Sequence, residues 1–448
     1  MVCAGRATSR MRKENGARPD FLTRRMRAPA SPDEEIFPSL LFLITCRSIL
    51  TVRASRATIG KSETSPDGLR DLKRDALRTL GFREGSKVLT VEYLLMGALT
   101  ADFSRNHIVP LDFASVQTVP ESHVWFESDD EYRCPSGSTA DPCLSVPIID
   151  LWDPNATHLI FEACEKWGVF QLTGHAIPAK LMEEVEDKTQ RLFSLPVDQK
   201  LKVLRSPGAG TGYGRAMISP FFPKHMWHEG FTIMGSAADH AKHLWPHDYE
   251  EFCVTMDEYQ KQMKALIEQL IHIILKSLNI SSQKLSWLKS QCSGHCTSTT
   301  PGTALQLNSY PPCPNPNRAM GLAQHTDTSL VTILQAQTSG LQIFLDDVGW
   351  ISVQPVRGAL TVNIGDFLHI LSNGRFVNVL HRVVVNSIQR FSAAYFYGPP
   401  SDFLVSPLLS ETLGDSEEAV ARYRSVTAKE FIGVKAKHLD RTLSLLKT

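Results

Sequence analysis

The 448-residue chain balances 47 lysines and arginines against 47 aspartates and glutamates, and it contains nine cysteines. That length can bury a large core in one or two domains, and the balanced charge offers no basic excess for nucleic-acid binding. The cysteines show no two-pair zinc spacing, and their odd number suits a reducing compartment.

In chain order, four regions are expected: an extension over 1–105, a helix-rich part over 106–299, a catalytic part over 300–405 and a helical tail over 406–448. Residues 1–35 are rich in arginine and lack an apolar period, the composition of a disordered start. The apolar run at 36–45 is far shorter than the roughly 20 residues a spanning helix needs, and it starts too late for a secretion signal. No membrane span is expected. The acid-poor, Arg- and Ser-rich start also suits an organelle transit peptide, but the reading adopted is a cytoplasmic protein. Helix-like pieces fall at 68–80 and 91–99.

A short strand is expected at 146–151. A helix follows over 156–167, with Leu159, Ile160, Ala163 and Trp167 on one face and Gly168 ending it. A strand then runs toward His175, which has no acidic partner two residues away and reads as structural or solvent-facing. The helix over 179–194 sets Leu181, Val185 and Leu192 against a polar face. Residues 206–233 mix glycines with Met217, Phe221, Phe222, Met226, Trp227 and Phe231, which suit either a cavity wall or simple core packing. His225, His228 and His243 lie close by with nothing to set them as ligands. The clearest helix spans 256–278, striped by Tyr259, Met263, Leu266, Ile267, Leu270, Ile271 and Ile274. Cys292 and Cys296, with His295 between them, lack a second ligand pair and read as a loop.

Beyond residue 300 the pattern changes to short strands near 305–310, 330–334, 341–344, 350–353, 360–364, 381–385 and 391–396, broken by turns. Many short strands of period two predict an α+β fold with a double-stranded β-helix (jelly-roll) core flanked by helices. Asp366 is expected to begin a short loop with a structural role. His369 and His438 look ordinary. The tail, with Glu417, Glu418 and Val420 and then Ala428, Phe431 and Ile432, is expected to form one or two helices on the outside of the barrel or near its mouth.

The chemistry concentrates in His325-Thr326-Asp327, His381 and Arg390-Phe391-Ser392. On a strand, residues two apart share a face, so His325 and Asp327 can point at one spot. With His381 they make a two-histidine, one-carboxylate set, the open-sided arrangement of non-haem Fe(II) oxygenases. A zinc hydrolase could use the same three residues with a water. Arg390 separates the two readings: its guanidinium is a rigid fork for a carboxylate, and Ser392 shares its strand face. With the hydroxyl of Tyr310, they could hold the distal carboxylate of 2-oxoglutarate.

The blocks LNSYPPCPNP (307–316), AQHTDTSLVTILQ (323–335), NIGDFLHILSNG (363–374), VLHRVVVN (379–386) and RFSAAYFYGPPSD (390–402) resemble the plant 2-oxoglutarate- and Fe(II)-dependent dioxygenases. LDFASVQTVPESHVW (111–125) and the MWHEGFTI segment ending at residue 233 make the chain similar, within them, to the gibberellin 3-beta-hydroxylases. The resemblance covers roughly residue 109 to the C-terminus. It implies Fe(II) held by His325, Asp327 and His381, and 2-oxoglutarate held at its far end by Tyr310, Arg390 and Ser392. It also implies O2, a small diterpenoid acid as substrate, support by ascorbate, and a monomer. The implied reaction is 3-beta-hydroxylation of a C19 gibberellin, with release of succinate and CO2. Other readings keep the chemistry and move it to another gibberellin position or another small apolar acid, or make the chain an inactive ligand-binding barrel.

Overall fold

The computed structural model describes residues 108–126, 145–278, 302–408 and 420–448. The readings at 1–105, at Cys292 and Cys296 and at Glu417 and Glu418 fall outside them.

Strand β1, Ile148–Asp150, opens the sheet, and helix α1, Ala156–Lys166, follows it. Ala156, Ile160, Ala163 and Cys164 recur at helical spacing and are buried. Gly168, at φ +66°, ends the helix by donating its N–H to Ala163 O at 2.9 Å. A side chain there would meet Val377 O at 2.2 Å, so glycine is required by both conformation and space. Then come β2, Val169–Thr173, helix α2, Ala179–Phe193, and helix α3, Val197–Leu201. The 206–233 region folds into β3, Gly212–Gly214, and β4, Glu229–Ile233.

After helix α4, Ala238–Leu244, helix α5 runs Tyr249–Lys276, about 42 Å at 1.5 Å per residue. It begins a full two turns before the expected start at 256. Its first turn is tied to α2 by Lys188–Glu251 and Arg191–Asp248, each 2.5 Å, which are cross-helix pairs that periodicity does not report. Its buried stripe from Phe252 to Ile274 lies in the same core as the large sheet.

The remaining strands are β5 Gly302–Tyr310, β6 Met320–His325, β7 Val331–Gln335, β8 Leu341–Leu345, β9 Gly349–Ser352 and β10 Leu360–Ile364. Helix α6, Asp366–Leu371, comes next, then β11 His381–Val384, β12 Arg390–Gly398, two short paired strands and helix α7, Ala428–His438. An eight-stranded sheet in the order β1-β2-β10-β7-β12-β5-β4-β3 and a four-stranded sheet in the order β6-β11-β8-β9 make up the barrel. This is the expected α+β jelly roll, with the helices outside it.

Two local expectations are corrected. Asp366 starts a helix, not a loop. Its N–H and that of Phe367 donate to Asp327 O (2.9 Å) and Ser329 O (3.1 Å), so the free N-terminal donors of α6 are satisfied across the barrel. Strand β6 ends at His325, so Asp327 reaches the site from the loop after the strand and not by strand alternation.

Candidate active site

The antiparallel pairing of β6 with β11 sets His381 directly opposite His325. Their rings lie 4.3 Å apart between centroids. The Nε2 atoms of His325 and His381 stand 3.8 and 3.6 Å from Asp327 Oδ1, and one donor atom from each residue falls within 4.8 Å of the others. Among the described residues this is the one such cluster of three or more.

The protonation pattern suits a metal. His325 Nδ1 bonds Ala323 O at 2.8 Å and His381 Nδ1 bonds Val379 O at 3.1 Å. A carbonyl can only accept, so each Nδ1 carries a proton and each Nε2 is the ring atom turned to the site. Burial, reinforced by His381, holds the His325 imidazole well below its ordinary value. Burial pushes the Asp327 carboxyl up, but the two imidazoles outweigh it and leave the group below the usual carboxylate range. Asp327 Oδ2 is buried and has no hydrogen-bond partner. A buried carboxylate oxygen left this way is costly unless a ligand completes it. Two imidazole nitrogens and a carboxylate oxygen converging on one point fit a divalent iron, which such a set holds on one side.

A second polar group lines the large sheet. Arg390 on β12 is 2% exposed and lies opposite Tyr310 on β5. Its Nε donates to Thr338 O at 3.2 Å, its Nη1 to Ser392 Oγ at 3.4 Å, and its guanidinium sits 5.0 Å from the Tyr310 ring centre. Among the described residues no carboxylate pairs with it, and burial lowers its pKa, with Tyr310 opposing the shift. Gly340 lets the chain pass this side chain, since a Cβ there would lie 3.2 Å from Arg390 Cδ.

Two further residues extend this group, both outside the sets singled out from the sequence. Asn308 Nδ2 donates to Ser392 Oγ at 3.3 Å, and Asn308 Oδ1 lies 2.9 Å from His228 Nε2. Asn308 was legible as the residue two before Tyr310, hence on its strand face. His228, on the segment leading into β4, is buried with its ring 5.1 Å from that of Tyr310. Burial lowers its pKa to about 4, so it is neutral at ordinary pH.

The apolar residues expected between 206 and 233 disperse. Met226 packs on Met320 and Ala323, two residues before His325, together with Trp125, Phe126, Ile218 and Phe222. Trp227 turns to the opposite side, against Phe113 and Val385, and donates its indole N–H to Pro311 O at 3.0 Å. Phe231 joins the helix-side core, and Met217 is 56% exposed. Alternation along this segment sends neighbours to opposite faces, which composition does not reveal. His175 is half-buried and its Nε2 lies 2.8 Å from Gly358 O, as expected of a structural histidine.

The family model of the 2OG-Fe(II) oxygenase superfamily matches residues 301–399, and that of the non-haem dioxygenase in morphine synthesis N-terminal region matches 146–249. Gibberellin 3-beta-dioxygenase 1 of Pisum sativum is 48% identical over 347 residues, covering 76% of this chain and 90% of that protein. Gibberellin 3-beta-dioxygenase 1 of Arabidopsis thaliana is 42% identical over 79% of this chain and 99% of its own length. Among solved structures, JOX2 in complex with 2OG, Fe and JA matches at TM-score 0.60 and 27% identity, over 75% of this chain and 95% of that one. The rice dioxygenase for auxin oxidation shares the fold at TM-score 0.52 and 24% identity, over 68% and 100%. The chain belongs to the plant 2-oxoglutarate- and Fe(II)-dependent dioxygenases. Its His–Asp–His set is complete, as an active member of the family requires. Among the described residues no helix is long and apolar enough to cross a membrane.

Proposed function

We propose that the chain hydroxylates a C19 gibberellin at the 3-beta position, consuming 2-oxoglutarate and O2 and releasing succinate and CO2. The observation that carries the chemistry is one barrel holding both a convergent His–Asp–His set and a buried guanidinium that has no carboxylate partner among the described residues. The choice of gibberellin rests on relatives of that name, matched over nine-tenths of their length or more.

In this reading His325, Asp327 and His381 hold Fe(II), and the iron supplies the oxidative decarboxylation and C–H oxidation that no side chain can perform. The chain's own residues bind and orient. Arg390 takes the distal carboxylate of 2-oxoglutarate through its fork, with Ser392 Oγ and the Tyr310 hydroxyl completing the donors. Asn308 holds Ser392 in place, and neutral His228 holds Asn308. The apolar side chains around Met226 form a wall for a rigid ring system and keep water from the reacting carbon. Ascorbate supports turnover by keeping the iron reduced. The enzyme acts as a monomer in the cytoplasm, and residues 1–100 are dispensable for catalysis.

The test is mass spectrometry of products from purified enzyme with Fe(II), ascorbate, 2-oxoglutarate and a panel of gibberellins and unrelated small acids. One added 3-beta-hydroxyl on a C19 gibberellin is expected. Hydroxylation only at C2, oxidation at C20, or turnover of another acid alone would overturn the substrate assignment and leave the iron chemistry standing.

A further inference from the structure

Three successive points on the loop that carries Asp327 are held from outside the barrel. Lys435, on the C-terminal helix α7, donates from Nζ to Thr326 O at 2.7 Å and to Thr326 Oγ1 at 3.0 Å. The same ammonium pairs with Asp366 Oδ2, and Asp366 Oδ1 accepts from Asn378 Nδ2 at 2.9 Å. The backbone N–H of Asp366 holds Asp327 O at 2.9 Å, and that of Phe367 holds Ser329 O at 3.1 Å. Lys435 is 8% exposed and Asp366 1%.

We propose that Lys435 is a positioning residue for the metal site: through Thr326 and Asp366 it sets the loop between His325 and Asp327, so that docking of the C-terminal helix tunes metal affinity. The inference rests on the reading of His325, Asp327 and His381 as the metal ligands. Three features support it. An ammonium has three donors, and all three acceptors here converge on it from two segments, the Thr326 loop and the start of α6. Thr326 lies between two of the proposed ligands, so both its backbone and its side chain are held where a small shift would move Asp327. A lysine that only balances Asp366 could place its other two bonds on any acceptors, whereas here both go to Thr326. Groups that hold metal ligands in place typically contribute about 10- to 100-fold to metal affinity.

The experiment is an anaerobic titration of the full-length apo-protein with Co(II), read by visible absorption, alongside thermal unfolding. Lys435→Met is expected to weaken Co(II) binding about 10-fold or more, to alter the absorption envelope and to lower Tm by stranding the Asp366 charge. Lys435→Met with Asp366→Asn removes both charges; Tm is expected to recover while affinity and spectrum do not. Thr326→Val keeps the charge pair and removes only the acceptor hydroxyl; about threefold weaker binding is expected, with a smaller fall in Tm than in Lys435→Met. Wild-type affinity and spectrum in Thr326→Val, or affinity that recovers in step with Tm in the double variant, would overturn the proposal and leave Lys435 a structural residue. His381→Ala serves as the control. Failure of the wild type to bind Co(II), or full binding by His381→Ala, would overturn the ligand reading itself, and the positioning role with it.

Discussion

His325 and His381 face each other across the β6–β11 pair in direct register, each with its Nδ1 proton held by a backbone carbonyl two residues earlier in the chain. The pairing of two strands, and not the local sequence around either histidine, brings the two lone pairs to one point. Asp327 completes the face from the loop beyond β6, within 4 Å of both rings.

Replacing any one of His325, Asp327 or His381 by alanine should leave turnover below about 1% of wild type, since loss of a merely supporting group already costs roughly 10- to 100-fold in affinity or activity. Succinate release measures the loss, and circular dichroism checks that the fold survives. Substantial succinate production by a folded variant would remove that residue from the ligand set.

Arg390→Leu should raise the 2-oxoglutarate requirement with little effect on iron binding. Truncating one partner of a buried charged pair costs about 2–5 kcal/mol, which corresponds to a rise in the apparent constant of roughly 30-fold or more. Arg390→Lys should recover only part, because an ammonium is a point charge without the planar fork. Initial rates against 2-oxoglutarate concentration decide the matter, and an unchanged KM in Arg390→Leu would rule the role out.

Behind the site, Lys200 Nζ lies 2.6 Å from Glu229 Oε1, with both side chains 7% exposed, and the Tyr213 hydroxyl donates to the same oxygen at 2.5 Å. Lys200→Met strands a buried carboxylate and should destabilise the fold by about 3–5 kcal/mol. Lys200→Met with Glu229→Gln should restore most of it, because the charge is then removed from both sides. Denaturant midpoints compare the three proteins. Equal midpoints for wild type and Lys200→Met would show that the pair contributes nothing net.

Outside the ligand set, acid should weaken the fold through two buried neutral histidines. Burial lowers His123 to about 3 and His228 to about 4. Unfolded histidine titrates near 6.5, so below that pH the unfolded chain binds protons that the native chain refuses. Stability is therefore fully present above about pH 6.5 and falls toward pH 4 at about 1.4 kcal/mol per pH unit for each histidine, or about 2 kcal/mol each by pH 5. Unfolding titrations at pH 7.5 and pH 5 should show the drop. His123→Phe, which keeps a ring against Phe113 and Trp227, should lose about half of it. A drop of the same size in the variant would assign the acid sensitivity elsewhere.

By itself the sequence determined most of the elements and the identity of the residues that meet at the site. Period-two runs marked β7, β8, β10 and β12, the apolar stripe marked α5, and the H-x-D spacing with His381 and Arg390 singled out the polar groups. Such patterns record which side of a local element each residue occupies, a property carried within a few neighbours. What only the tertiary structure decided involves partners far apart in the chain. The end of β6 at His325 and the helical turn at Asp366 depend on hydrogen bonds exchanged between the two segments. Trp227 lies before β4 and Phe231 within it, and the two went to separate packing clusters although their spacing would place them on one strand face. Lys435 reaches Thr326 across 109 residues, and that Arg390 meets no carboxylate among the described residues is a fact about everything around it. Neither has a local period to announce it, because closing the barrel is what brings these groups within a few ångströms of one another.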